Sequence, residues 1–528
     1  MRAPLEPRRL TRRSVIGSAA IVGGIGALGA RSSSSAPTFT PRAEAHAFAI
    51  AIDATSRGKP VPRRVLGSNV GWAFGGDNML AADGQFAPAM LDMARRLGPT
   101  VLRYPGGTYS DVFHWEAATN EHVFNRMTMP TLMDTQRFLE LCEALGAEPL
   151  ITVNVPTGSV DEAVRWLTAT NLTGMRSRLT GRRLPRVTFW EIGNEPYLKE
   201  SSRQDIDLVP DEFARRANRF IRALRAVDPT ILIGLPLTTD TRGGVPVTPY
   251  PGFTRTVLEK VTESFDYACL HNAYMPFGFD RGLAPADMYW GAAAGALTVQ
   301  KDLSAMARLL ADLRPGVPIK LAVTEYSALF SLGRGESDSW ITTPAGAIYL
   351  ADVLRVFAQT PGFLLATHWS LSANWLFGAI HAEGHARPAY QVLQLMGEAL
   401  LGDMVPFRLD AATVAVRGVG QVAAVDAMPL VEALATCRTA ADKPGRRTLR
   451  LFLINKDPER AGVGRLAHSH GRVEAARMSL LSARDVFDAS DTSGVLARTE
   501  SAFDAARPIE IRLPPHSIAL ITLDLSIS

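Results

Sequence analysis

The feature that most constrains this chain is an alternation of short β-branched or apolar runs with longer amphipathic segments, repeated eight times between Val65 and Leu400. Runs of the first kind read as strands, and segments with apolar residues at helical spacing read as helices. The strand series is Val65–Val70, Thr100–Arg103, Pro149–Val155, Val187–Ile192, Thr230–Gly234, Phe265–Leu270, Ile319–Thr324 and Phe363–Ser370. The helices are Pro88–Leu97, Leu132–Leu145, Val160–Thr168, Pro210–Val227, Phe253–Thr262, Lys301–Leu313, Thr343–Gln359 and a closing Tyr390–Leu400. Pro210 suits a first helical turn, and Gly146 stops the segment before it. Such a series predicts an α/β fold, a (β/α)8 TIM barrel over residues 61–403.

From Met404 the pattern changes to short strand candidates: Thr413–Val416, Val422–Val425, Arg447–Asn455, Ile509–Leu513 and Ser517–Leu525. Gly, Pro and charged turns separate them, which predicts a C-terminal β-sandwich over 404–528. Near the start, Phe48–Ile52 is apolar and strand-like but alternates poorly.

With 528 residues, 47% of them hydrophobic, the chain can bury a large core. Its net charge is +4, with no basic stripe interleaved with aromatics, so no nucleic-acid partner is expected. The three cysteines, Cys142, Cys269 and Cys437, are far apart and odd in number. That excludes a disulfide framework and metal-ligand spacing, and it leaves buried, inert thiols. No cofactor and no metal are expected, since no His-Glu-x-x-His or clustered His/Asp triad is present.

Residues 1–45 read as an export signal and linker. Thr11-Arg12-Arg13-Ser14-Val15-Ile16 precedes a short Gly/Ala-rich apolar run ending near Ala30, which resembles a twin-arginine signal. Ser14–Ala30 is shorter than the roughly 20 strongly apolar residues a membrane span needs. Cleavage and a periplasmic or extracellular location are therefore favoured over retention as an anchor, and no stable membrane partner is expected.

The chemistry concentrates at three predicted strand ends. Val187–Tyr197 delivers Glu191, Asn194 and Glu195 to the end of the fourth strand, where Gly193 and Pro196 break regular pairing. Apolar neighbours leave little water there, so a carboxyl can hold a proton near neutral pH, as a general acid must. Ile319–Tyr326 delivers Glu325 beyond the seventh strand, and Leu102–Gly107 ends the second in Arg103 and a tight turn. At the C-terminal ends of two barrel strands, Glu195 and Glu325 would share one mouth.

Asn194-Glu195-Pro196 with a later strand-end Glu resembles the clan A retaining glycoside hydrolases. Arg103-Tyr104-Pro105-Gly106-Gly107, followed by Trp115-Glu116, is similar to their α-L-arabinofuranosidase branch. The resemblance spans roughly Val65 to the C-terminus and implies an oligo- or polysaccharide substrate. Glu195 matches the acid/base and Glu325 the nucleophile, with double displacement through a glycosyl-enzyme. It implies Asn194 as the group holding the hydroxyl beside the anomeric carbon. Arg103 and Tyr274 are candidate donors to Glu325, and Tyr197 and Trp190 candidate walls, with core packing an equal reading of Trp190. Glu191 is expected in an inner ion-pair network.

His271 and Tyr274 at the sixth strand, Trp369 at the eighth and Asn69 after the first complete the expected substrate-binding set. Strict alternation would put His271 and Tyr274 on opposite faces unless the strand bulges or ends between them. Gly67–Trp72 lacks the carboxylate that family members often carry after the first strand. Other clan A activities are therefore kept as alternatives: an exo-β-glycosidase, a heparanase-like β-glucuronidase or an endo-β-glucanase. A non-catalytic carbohydrate-binding barrel is the rival from another class. The resemblance also implies that residues 46–60 form a strand joining the sandwich, and that the chain is a homo-oligomer, which no residue specifies.

Overall fold

The computed structural model describes residues 39–54, 58–199, 203–276, 284–328, 341–373, 377–440, 443–469, 471–488 and 496–526. The expected export signal lies outside the described residues. Among those described, no helix is long and apolar enough to cross a membrane.

Eight parallel strands close into a barrel: Gly67–Asn69, Val101–Tyr104, Glu148–Val153, Phe189–Ile192, Leu232–Pro236, Tyr267–Leu270, Lys320–Ala328 and Phe363–His368. Each pairs with its sequence neighbour, the eighth pairs with the first, and the sixth with the seventh, so no edge remains. Side-chain alternation stacks the interior in layers. Val101, Leu150, Phe189, Tyr267, Cys269 and Ala322 make a lower apolar layer. Two residues further along their strands, Arg103, Thr152, Glu191 and Thr324 form a buried polar layer below the C-terminal mouth.

Helices Pro88–Leu97 and Pro210–Val227 have the expected bounds, and Asp134 caps Thr135–Leu145 by accepting from the Arg137 amide. Some expectations on the barrel change. The sixth-interval helix runs from Pro285 to Leu313, and its first half was missed because it is buried on all sides and so lacks an apolar stripe. Gly291 packs there on Val419 and Pro276, and Gly295 on Met275 and Tyr349. Residues Arg63–Leu66 form a 3-10 turn, so the first strand begins at Gly67.

The C-terminal region is a sandwich of a four-stranded and a seven-stranded sheet sharing one core, which includes Phe48, Ile50, Val431, Leu449, Leu466 and Ile521. The early strand His46–Asp53 lies inside it, antiparallel to Phe407–Ala411 and parallel to Gly462–Ser469. It alternates strictly: His46, Phe48, Ile50 and Ile52 are buried while the alanines face out, so its period was hidden by counting Ala as apolar. Val422–Val425 is corrected to Val425–Pro429, and the strands Val431–Ala440, Gly462–Ser469, Arg472–Ser482 and Ala497–Phe503 escaped the sequence reading. Cys142, Cys269 and Cys437 are free and buried.

Barrel and sandwich meet through a buried charge cluster. Lys456, at the end of a sandwich strand, pairs with Asp352 on barrel helix Pro344–Gln359. Arg355 donates to Asp352 at 2.7 Å and lies 3.3 Å from Glu432. Burial alone would raise the Asp352 carboxyl, but the charges of Arg355 and Lys456 win and hold it below its ordinary value. Breaking such a pair leaves an uncompensated buried charge. We expect Lys456→Ala to cost about 3–5 kcal/mol in denaturant unfolding, and a loss below about 1 kcal/mol would show that the cluster does not hold the two parts together.

Candidate active site

The site is assembled on Arg103. Its guanidinium is fully buried and donates to Glu191 Oε2 at 2.6 Å, Glu325 Oε1 at 2.9 Å, Asn69 Oδ1 at 3.0 Å and Asn194 Oδ1 at 3.0 Å. One side chain thus ties strands one, two, four and seven together. Burial pushes Glu191 up, but the charge and hydrogen bond of Arg103 prevail and hold its carboxyl below the ordinary range.

Glu195 reaches the mouth because the fourth strand stops: Gly193 and Glu195 both take positive φ, 85° and 43°. Glu325 needs a different device. Thr324 faces the barrel interior, where its hydroxyl meets His271 Nε2 at 3.1 Å, so alternation alone would turn Glu325 outward. The pairing of the seventh strand with the eighth is irregular between Val323 and Tyr326, which lets both side chains serve the interior. The strand does not end at Thr324 as expected but continues to Ala328, because Tyr326–Ala328 pair with Ala273–Met275.

An oxygen of Glu195, a ring nitrogen of His271 and an oxygen of Glu325 lie within 4.8 Å of one another. His271 Nδ1 is 3.0 Å from Glu195 Oε1 and 3.7 Å from Glu325 Oε2. Tyr274 donates to Glu325 Oε2 at 2.9 Å, and Tyr197 lies 3.4 Å from Glu195 Oε1. The sixth strand ends at Leu270 and resumes at Ala273, so His271 and Tyr274 both reach the pair. Burial, helped by any charge on Glu195, raises the Glu325 carboxyl above its ordinary value against the opposing pull of His271, Arg103 and the Tyr274 hydrogen bond. With Arg103 and Tyr274 both donating to it at 2.9 Å, Glu325 is built to carry negative charge. The Glu195, His271 and Glu325 set has ligand atoms for a divalent cation, but the adjacent Arg103 charge opposes one.

Several expected substrate contacts are placed elsewhere. Asn69 is fully buried: its amide donates to the Thr324, Thr367 and His368 carbonyls, and its oxygen accepts from Arg103, so it clamps strands and does not face a substrate. Trp369 packs against the second-strand turn, where a Cβ on Gly107 would stand 2.6 Å from its ring; only 9% of the residue is exposed. Trp190 is core, donating to the Val187 carbonyl and packing edge-on to Trp166, and is no wall of the site. Trp72 is also buried, against Tyr109 and Phe113. Asp77, further along the loop, folds back towards this segment so that its Oδ2 accepts from the Gly71 amide at 3.3 Å. Only a turn signal, Gly75-Gly76 followed by Asp77-Asn78, marked it in the sequence.

No family model matches the chain. The α-L-arabinofuranosidase C of Emericella nidulans is 31% identical over 172 residues, 29% of this chain and 33% of that one. The probable α-L-arabinofuranosidase C of Aspergillus terreus is 27% identical over 221 residues, 38% of this chain and 43% of that one. The chain thus spans about a third to two fifths of the length of the curated relatives it matches. Among solved structures, the α-L-arabinofuranosidase of Thermotoga maritima in complex with arabinose superposes with a TM-score of 0.75 at 22% identity, covering 90% of this chain and 100% of that one. This chain resembles the α-L-arabinofuranosidases. A xyloglucanase of Paenibacillus polymyxa shares the layout less closely, with a TM-score of 0.60 at 14% identity, covering 91% of this chain and 100% of that one. At these identities the superpositions establish the fold.

Replacing Arg103 by Met would leave Glu191 and Glu325 buried without their cation, at an expected cost of about 3–5 kcal/mol near pH 7. The sign with pH is set by Glu191. Its lowered value in the folded protein gives the wild type stability above the unfolded carboxyl value, about 4.3, which is lost as pH falls through the folded value. In Arg103→Met the unpaired carboxylates take up protons instead. The gap between the two proteins should therefore narrow from pH 7 to pH 4 in urea unfolding, and a gap that widens on acidification would contradict the assignment.

Proposed function

We propose that the protein is a retaining glycoside hydrolase that cleaves α-L-arabinofuranosyl linkages. The observation that carries this reading is the approach of Glu195 and Glu325 oxygens to within 4.8 Å over a shared, buried floor. Direct attack by one carboxylate needs a separation near 5–5.5 Å, whereas placing a water between them needs about 6.5–9.5 Å. The arabinofuranosidase names of the relatives, and the fold shared with enzymes of that name, support the choice of sugar.

In this reading Glu325 attacks the anomeric carbon as Glu195 passes its proton to the departing oxygen, which leaves a glycosyl ester on Glu325. Water then attacks the same carbon, Glu195 takes its proton, and Glu325 leaves as carboxylate, so configuration is retained. Arg103 and Tyr274 hold the Glu325 charge at the start and end of the cycle. His271, spanning both carboxyl groups, orients Glu195. Asn194, fixed through its oxygen by Arg103, is set to meet the hydroxyl beside the reacting carbon. Export by the twin-arginine route belongs to the same proposal and rests on the segment Thr11–Ala30.

A panel of nitrophenyl glycosides tests the sugar: turnover of the α-L-arabinofuranoside above the β-glucoside and β-glucuronide is expected, and the reverse order would overturn the arabinose assignment. Glu325→Ala should abolish turnover. Glu195→Ala should keep far more activity on the nitrophenyl substrate than on an oligosaccharide, because a good leaving group needs no proton. Equal losses on both substrates would remove Glu195 as the acid.

A further inference from the structure

The loop after the first barrel strand contains five consecutive residues with positive φ: Phe74 at 51°, Gly75 at 65°, Gly76 at 70°, Asp77 at 54° and Asn78 at 71°. This is a single left-handed turn. Three of its residues carry side chains, and such strain persists only where packing over-determines it. The underside supplies that packing, since a Cβ on Gly76 would stand 2.3 Å from Met133 Cε. Phe74 is 55% exposed, the most exposed aromatic ring among the described large hydrophobics. His122 meets that ring edge-on at 5.8 Å and is itself held 3.1 Å from the Tyr109 hydroxyl.

Asp77 is half-buried in the same turn and fills the space beside Gly71, where a Cβ would come within 2.9 Å of Oδ2. Loss of water pushes its carboxyl up to about 7 against a single opposing amide, so it gains from hydroxyl donors. The turn is tied to the mouth: Ser372 donates to the Asp77 carbonyl at 2.8 Å, and the neighbouring Leu371 amide bonds the carbonyl of Asn69, which touches Arg103.

We propose that the turn Phe74–Asn78 is a second saccharide-contacting element of the mouth. In it the Phe74 ring stacks on a sugar unit next to the one held between Glu195 and Glu325, and Asp77 accepts from hydroxyl groups. This deepens the glycosidase reading and rests on it. An exposed aromatic face suits the C–H-rich face of a sugar, and a carboxylate short of donors suits its hydroxyls. The strain then holds both groups in place before substrate arrives.

The test compares wild type, Phe74→Gly and Phe74→Tyr on arabinotriose and on methyl α-L-arabinofuranoside, whose methyl group does not reach a neighbouring ring. Glycine accepts the left-handed backbone without strain, so Phe74→Gly should melt no lower than wild type. Its KM for the trisaccharide should nevertheless rise about tenfold with kcat within about twofold, while kcat/KM on the single-sugar substrate stays within about twofold. Phe74→Tyr should restore the trisaccharide KM. Equal changes on both substrates, or none on either, overturn the proposal. Should the wild type hydrolyse neither substrate, the glycosidase reading fails separately, and calorimetric titration of arabinotriose decides this one. Binding about tenfold weaker to Phe74→Gly than to wild type would support it, and equal affinity would overturn it.

Discussion

One guanidinium organises the centre of this barrel. Arg103 is surrounded by two carboxylates and two amides from three other strands, all of them buried. Burying an arginine is costly unless its donors are matched, and burying Glu191 and Glu325 is costly unless a cation is near. Each burial is tolerable only because of the other. The result fixes where the Glu325 oxygens point before any ligand binds, which is the property a nucleophile needs.

The barrel reaches that arrangement by departing from regularity at three strand ends. Strand four stops at Gly193, strand six breaks at His271-Asn272, and strand seven slips against strand eight between Val323 and Tyr326. A fully regular barrel would have sent Glu195, Tyr274 or Glu325 away from the common space. The lower apolar layer, by contrast, keeps its alternation. Regular packing below and irregular backbone above is a division of labour, with stability in one layer and chemistry in the other.

Much of this was legible in the residues, and the parts that were not share a cause. Glu195, Glu325, Arg103, His271 and Tyr274 come together as the strand-end reading requires, and Glu191 sits in the ion-pair network expected for it. The break that lets His271 and Tyr274 face one way was foreseen as a condition, because period two permits nothing else. Asn69 was misread, and of the two roles open to Trp190 the packing one holds, because a sequence shows that a polar or aromatic residue is near a mouth but not whether neighbours have already taken its surface. Asp77 was missed because the chain carries it back across the loop to Gly71, a contact that no periodicity encodes. Val431–Ala440 in the sandwich and the first half of the barrel helix Pro285–Leu313 went unseen for the same physical reason: elements covered on all sides lose the pattern that marks a half-exposed face.

The split sandwich has a consequence for how the chain is made. His46 reaches Asn455, 409 residues later, and the strand that carries it is hydrogen-bonded on both sides by segments translated after the whole barrel. At about 5–20 residues per second a ribosome takes roughly 20–80 s to supply those partners. For that interval the nascent protein carries a strand with both edges open, a template for association with other chains. The first described strand is therefore among the last to find its place, and the completed sandwich fastens it to strands made after a barrel already complete.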